Sequence, residues 1–402
     1  MVEAEESFRY PSFLPAEARV ATLLVSSGPA TDPQLTLLEF ESGRSKTLRP
    51  GTRPVYSPSG HIVYESAGDL WALPFSIRRL EPLGEAFPIR EDTSLPSVAR
   101  DGTLVFLDSG APGLKQLIWR DRGGRKLGEI GQPQGNIVMP VLSPDGRRVV
   151  ALGDENRIRD VWLHEVSRPL KNRLTFTRED ENRPTWTPEG DRVSYSRLGD
   201  IFIRPADGSG EEQVLLATPA GDYGFEWSTD GKYVVGSGQG EIWYLRADED
   251  GGSYEKVSFL STSFDELGPD LSRDGRFVAY ESNESGRYEV HVQPFPEGGG
   301  KWQVSTNGGV QARWRADGKE LFYVEGDTLM AVEVTTTPAF SVVGAARKLF
   351  TDKQAFGGRG QRYDVTPDGQ RFVVVETLQE PPPPVIRVVL NWYEEFRDRE
   401  QD

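Results

Sequence analysis

A hairpin that returns at a nearly constant spacing limits this chain more than any other feature. Val141-Leu142-Ser143-Pro144-Asp145-Gly146-Arg147-Arg148-Val149-Val150 reads as an extended arm, a tight turn at Asp145-Gly146 and a β-branched arm. Asp-Gly between apolar runs suits such a turn, because glycine takes the positive φ that it requires. The pattern recurs as YSPSGHIVY at Tyr56, VARDGTLVF at Val98, WTPEGDRVSY at Trp186 and WSTDGKYVV at Trp227. It continues as LSRDGRFVAY at Leu271, WRADGKELFY at Trp314 and VTPDGQRFVVV at Val365. The turn glycines Gly60, Gly102, Gly146, Gly190, Gly231, Gly275, Gly318 and Gly369 follow one another at steps of 42, 44, 44, 41, 44, 43 and 51. One hairpin per period of that length is the signature of propeller blades, which bury their faces only against their neighbours.

Each period divides into four extended pieces. Around Gly146, strand A is NIVMPVLS ending at Ser143, strand B is RRVVALG, strand C is DVWLHEV from Asp160 and strand D is NRLTFT from Asn172. Strand C recurs as DLWALPF at Asp69, QLIWRD at Gln116, DIFIRP at Asp200, EIWYLR at Glu241, YEVHVQPF at Tyr288 and TLMAVEV at Thr328. Alternating β-branched and aromatic residues are strand behaviour. At the start, YPSFLP from Tyr10 reads as a strand A whose turn has lost its Asp-Gly; at the end, VIRVVLNWY supplies a strand C with no clear D. The expected fold is therefore all-β: a single closed β-propeller of four-stranded antiparallel blades over residues 8–393, between tails at 1–7 and 394–402. Nine A-B-C units are counted, against a usual range of four to eight blades. The expectation is eight or nine blades, the count favouring nine, with pairing of the chain ends in one blade closing the exposed edge.

Forty-three Gly and 29 Pro suit many short strands joined by turns. With 46 basic and 62 acidic residues the net charge is −16, which disfavours nucleic acid as a partner. No cysteine is present, so disulfides and thiolate metal sites are excluded, while the compartment stays open. No apolar run approaches the roughly 18 residues that span a bilayer, so no membrane insertion by this segment is expected. MVEAEESFRYPSF lacks the regions of a signal peptide and begins close to the first repeat, so the chain is read as a piece of a longer protein.

Catalytic and metal motifs are sparse. GSGQG at Gly236 places Gly where a nucleophile elbow needs Ser. His61, His164 and His291 fall in three different repeats, without the convergent spacing of a metal site. Asp248-Glu249-Asp250-Gly251 lacks the alternate ligands and closing Glu of a calcium loop. The repeat aspartates Asp101, Asp145, Asp230, Asp274, Asp317 and Asp368 are read as turn formers, because Asp side chains satisfy turn amides. No catalytic residue, metal ligand or cofactor is assigned.

The repeat followed by an LW-type strand resembles the TolB-type, WD40-like propellers. It is more similar still to the propeller that follows the transmembrane segment of many bacterial receptor-like serine/threonine kinases. The residues that carry this likeness are YPSFLP at Tyr10, LIWRDRGGRKLGEIG at Leu117, LSPDGRRVV at Leu142, DVWLHEVSRPLKNRLTFTREDENRPTWTPEG at Asp160, the block from Phe277 to Tyr323 and VIRVVLNW at Val385. The resemblance implies an extracytoplasmic or periplasmic sensing or interaction module. The kinase itself is absent: there is no glycine-rich nucleotide loop, His-Arg-Asp loop or Asp-Phe-Gly.

Ligands of propellers meet several blades at the D-to-A loops around the axis. The candidate binding residues there are Asp180, Glu181, Arg183, Asp222, Tyr223, Asp265, Glu266, Asn307, Gln311, Arg359 and Arg362. The function expected is a non-catalytic sensor or binding module, monomeric, taking a protein, peptide or small polar ligand at that face or in the channel. The alternatives are a hydrolase- or lyase-type propeller enzyme with a site built from several blades, and a scaffold without ligand. Clustered carboxylates with shifted pKa at the channel would favour the enzyme.

Overall fold

The computed structural model describes residues 8–396, apart from short segments at 16–21, 28–32, 40–41, 67, 92, 109, 111–112, 155–157, 178, 218–221, 248–253 and 358–360. Every turn glycine of the repeat has positive φ, from +67° to +86°. At Gly146 the amide N–H donates to Ser143 O at 2.8 Å, and Asp145 Oδ1 accepts from Ser143 Oγ and from the Arg147 N–H. Asp230, Asp274 and Asp368 repeat that arrangement. The turn-forming role of these aspartates is thus borne out.

Antiparallel sheets follow, as the alternation implies, and they fall into two compact units. The nine repeats divide three and six. One unit holds residues 1–112 with 381–402, and the other holds 113–380.

Two strands exchange partners relative to the sequence order. QLIWRD, expected as strand C of the Gly102 repeat, lies in strand Leu114–Asp121 and pairs with Arg371–Gln379, strand B of the last repeat. VIRVV, expected as strand C of the last repeat, forms Val385–Val389 and pairs with Leu104–Asp108 of the Gly102 repeat. Burial explains the choice. Leu117 and Ile118 are fully buried among residues of the 113–380 unit, whereas Val385–Val388 are exposed and suit an edge. Pro381–Pro384, which cannot join a ladder, carries the chain between the two settings.

In the 1–112/381–402 unit, strands Arg9–Phe13, Thr22–Ser27, Gln34–Glu39 and Ser45–Pro50 form the first sheet, so the degenerate opening repeat is a true sheet. Trp392, in a short 3-10 turn, packs with Val63, Leu70 and Phe106 and donates its indole N–H to Ser57 Oγ at 3.2 Å.

In the 113–380 unit, strands D and A of adjoining repeats fuse into Lys126–Leu142, giving one seven-stranded sheet that joins the unit's first strands to its last. Apolar clusters link successive sheets. One joins the Gly275 and Gly318 repeats through Val292, Phe277, Trp314 and Phe340. Another sets Phe322 and Leu329 of the Gly318 repeat against Tyr363, Phe372 and Ile118. Full burial of such a side chain stabilises by about 1.5–3 kcal/mol, so these interfaces hold the sheets together. Among the described residues, no helix is long and apolar enough to cross a membrane.

Candidate functional site

Strand A does more than begin each sheet. In six of the repeats the backbone turns left-handed seven residues before the turn glycine: Arg53, Leu95, Met139, Arg183, Gly268 and Gln311 have φ from +49° to +58°. The ladder skips at the same place, for example between Asn182 and Thr185 and between Val310 and Arg313. Such a bulge re-aims side chains. In the 113–380 unit the re-aimed residues meet in one cavity of about 610 Å³. The residue five before each turn glycine lines it in all six repeats: Val141, Thr185, Glu226, Asp270, Arg313 and Asp364.

Arg313 is the electrostatic centre. Its Nη1 lies 2.8 Å from Asp270 Oδ1 and 3.8 Å from Glu226 Oε2, and its Nε lies 3.9 Å from Asp364 Oδ1. Burial opposes its charge, yet Asp270, Glu226 and Asp364 together hold its pKa above the ordinary value. Burial, reinforced by the charge of Asp270, pushes the Glu226 carboxyl well up against the opposing pull of Arg313. The Glu226 side chain keeps 37% of its surface accessible, so solvent screening offsets part of that penalty. Asp364 is raised by burial to about 6, although Arg313 and the N–H groups of Leu142 and Val365 favour its ionised form.

Two of these carboxylates also tie neighbouring sheets together. Asp270 Oδ2 accepts the Trp314 N–H at 2.8 Å, and Asp364 Oδ2 accepts the Leu142 N–H at 2.7 Å. In both cases the acceptor stands five, and the donor four, residues before its own turn glycine. Glu281 makes a comparable link, accepting the Gln311 N–H at 2.6 Å, and burial raises its pKa to about 7.

Of the residues proposed from sequence, Arg183 and Gln311 line this cavity. None of the other described candidates lines it. Asp180 is exposed and bonded to Arg159. Glu181 is fully buried, bonded to Thr175 and Thr177, and raised by burial to about 7. Asp265 accepts the Tyr288 hydroxyl, Glu266 accepts from Thr262 and Ser282, and Asn307 is exposed. The Arg362 N–H donates to Gln311 Oε1 at 2.9 Å, while its Nε is buried without an acceptor. Arg359, the side chains of Asp222 and Tyr223, and the acidic turn 248–251 lie outside the described residues. His61, His164 and His291 are buried in separate repeats. Among the described residues, no group of three His, Asp or Glu is arranged to hold a metal ion.

Asp270, Glu281, Arg313 and Asp364 are not among the residues to which the sequence points, because strands, and not the D-to-A loops, carry them. One signal was available: a charged residue standing just before the aromatic or apolar residue of strand A, as in Glu226-Trp227, Asp270-Leu271, Arg313-Trp314 and Asp364-Val365.

No protein-family model matches the chain, and no curated protein matches it. Solved structures do. A protein assigned as TolB from Agrobacterium tumefaciens aligns with a TM-score of 0.51 at 18% identity, over 66% of this chain and 99% of that one. The β-propeller domain of Cps50 (Swd1) from Myceliophteria thermophila aligns at 0.41 and 12% identity, over 68% and 93%. Kuenenia stuttgartiensis hydrazine synthase aligns at 0.37 and 16% identity, over 72% and 97%. The first of these likenesses shows a TolB-like propeller fold, and the fold alone.

Proposed function

We propose that this chain is a non-catalytic binding module, and that the cavity of the 113–380 unit receives a protein segment, a peptide or a small polar ligand. One observation carries the reading: six equivalent strand A positions converge on a cavity of about 610 Å³, within the range of ligand pockets. We further read this unit as a six-bladed ring. The support is that the apolar clusters run in order through its sheets and return from the Gly318 repeat to the sheet of Leu114–Asp121. The kinase-associated sensor role and an extracytoplasmic location rest on the likeness of the Phe277–Tyr323 block and of VIRVVLNW.

The test is a screen of peptides and polar small molecules by thermal shift and calorimetry, run beside a Thr185→Trp variant that fills the cavity. Binding lost in a folded Thr185→Trp protein supports the cavity. Binding that survives places the site elsewhere.

A second reading, a hydrolase or lyase, is favoured by the raised carboxyls of Glu226 and Asp364. Against it, both Asp270 oxygens are occupied, by Arg313 and by the Trp314 N–H, and both Asp364 oxygens accept backbone N–H groups. Bases so engaged are poorly placed to take a substrate proton. Turnover of glycosides or esters that disappears in Glu226→Gln would establish the enzyme instead.

A further inference from the structure

The chain is strongly acidic, but the cavity is not. Its charged lining is Arg183, Arg273, Arg313 and Arg315 against Glu226, Asp270, Glu281 and Asp364. Four cations face four carboxyl groups, so the lining carries none of the chain's acidic excess. Three of these arginines differ sharply in what they touch. Arg313 is ringed by carboxylates, and Arg315 is bonded to Asp317 and Glu320. The Arg183 side chain, among the described residues, makes no hydrogen bond and no ion pair; burial and the charge of Arg313 act against its protonated form, and the field of Glu281 favours it.

Arg183 is half-buried on the cavity lining, so a ligand in the cavity can supply its guanidinium with an acceptor. On the same lining, Gln311 is nearly fully buried, its Oε1 is taken by the Arg362 N–H, and its Nε2 has no acceptor.

We infer that Arg183 is the anchor of an anion subsite in this cavity, and that the ligand it selects carries a carboxylate, as an acidic peptide does. The planar fork of Arg matches a carboxylate through two parallel N–H bonds. A dianionic phosphoryl group would also fit the fork, but it would face Asp270 and Asp364 with twice the charge. The inference rests on the cavity being the binding site.

The test uses the full chain at pH 7 and low salt. The probes are N-acetylated, C-amidated triglutamate, triserine and trilysine, with inorganic phosphate alongside, followed by calorimetry. Arg183→Gln should fold, because Gln311 occupies the equivalent left-handed position with φ +58°. Arg183→Lys keeps the charge without the fork and serves as the second variant.

Triglutamate should bind and trilysine should not. Arg183→Gln should weaken triglutamate about tenfold to a hundredfold, with Arg183→Lys in between. If triserine or trilysine binds as well as triglutamate, or if both Arg183 variants bind unchanged, the anion subsite falls while the cavity reading stands. Phosphate binding more tightly than triglutamate, and lost in Arg183→Gln, overturns the choice of carboxylate. No binding by any probe at millimolar concentration overturns the subsite and counts against the cavity itself.

Discussion

Asp270 accepts the backbone N–H of Trp314 at 2.8 Å and, through its other oxygen, the Arg313 guanidinium at the same distance. One carboxylate thus joins two sheets and neutralises the cation at the cavity centre. Asp270→Ala should destabilise the 113–380 unit by about 3–5 kcal/mol, because it leaves a buried cation short of its main partner. Adding Arg313→Met should recover a large part of that loss. Urea unfolding of both proteins decides it; a double variant no more stable than the single one would count against the assignment.

The fully buried Glu181 sets a pH dependence. Its pKa rises from 4.5 to about 7 on folding, mainly through burial. A carboxyl raised in this way imposes no penalty below about 4.5. It removes stability progressively as pH climbs to about 7, because folding then requires either proton uptake or a buried charge. Glu181→Gln should therefore match the wild type at pH 4 and exceed it at pH 8 by about 1–3 kcal/mol. Arg197 is not stranded by the change, since it also pairs with Glu212. Thermal melts across this range provide the comparison, and a constant offset at all pH values would refute the linkage.

Glycines of the same hairpin should respond differently to alanine. At Gly231, φ is +70° and an added Cβ meets nothing within 4 Å, so the cost is conformational, about 1 kcal/mol. At Gly236 an added Cβ would press into the rigid indole of Trp243, so Gly236→Ala should cost about 3 kcal/mol. Equal losses in denaturant midpoints would show that the Trp243 contact does not govern this strand.

Pairing of Leu114–Asp121 with Arg371–Gln379 makes residues 113–380 self-contained in their ladders. A fragment spanning 113–380 should fold and unfold cooperatively. A fragment beginning at 136 leaves strand Arg371–Gln379 open along one edge and should aggregate. Size-exclusion chromatography with circular dichroism distinguishes the two outcomes.

Reading the chain locally worked where the cause was local. Asp145-Gly146 needs only its own turn to explain it, and eight copies of that turn declare strands, sheets and repeats. The first repeat was recognised without its Asp-Gly because YPSFLP and TLLVS keep the alternation. The exchange of QLIWRD and VIRVV was hidden, since both are plausible C strands and only burial distinguishes them. The candidate site was half legible. Arg183 and Gln311 reach the cavity, but Asp180 and Glu181, three and two residues before Arg183, and Asp265 and Glu266, at the same offsets before Gly268, are spent on hydrogen bonds to Arg159, Thr175, Tyr288 and Thr262 in turn.

The repeat alone therefore determined the all-β class, the hairpin register and the structural role of its aspartates, because turn chemistry acts over a few neighbouring residues. Tertiary structure decided the division into two units, the strand exchange and the cavity. Those depend on which faces are buried together and on a bulge that turns distant strand A residues toward one another, and neither is a property of any single repeat.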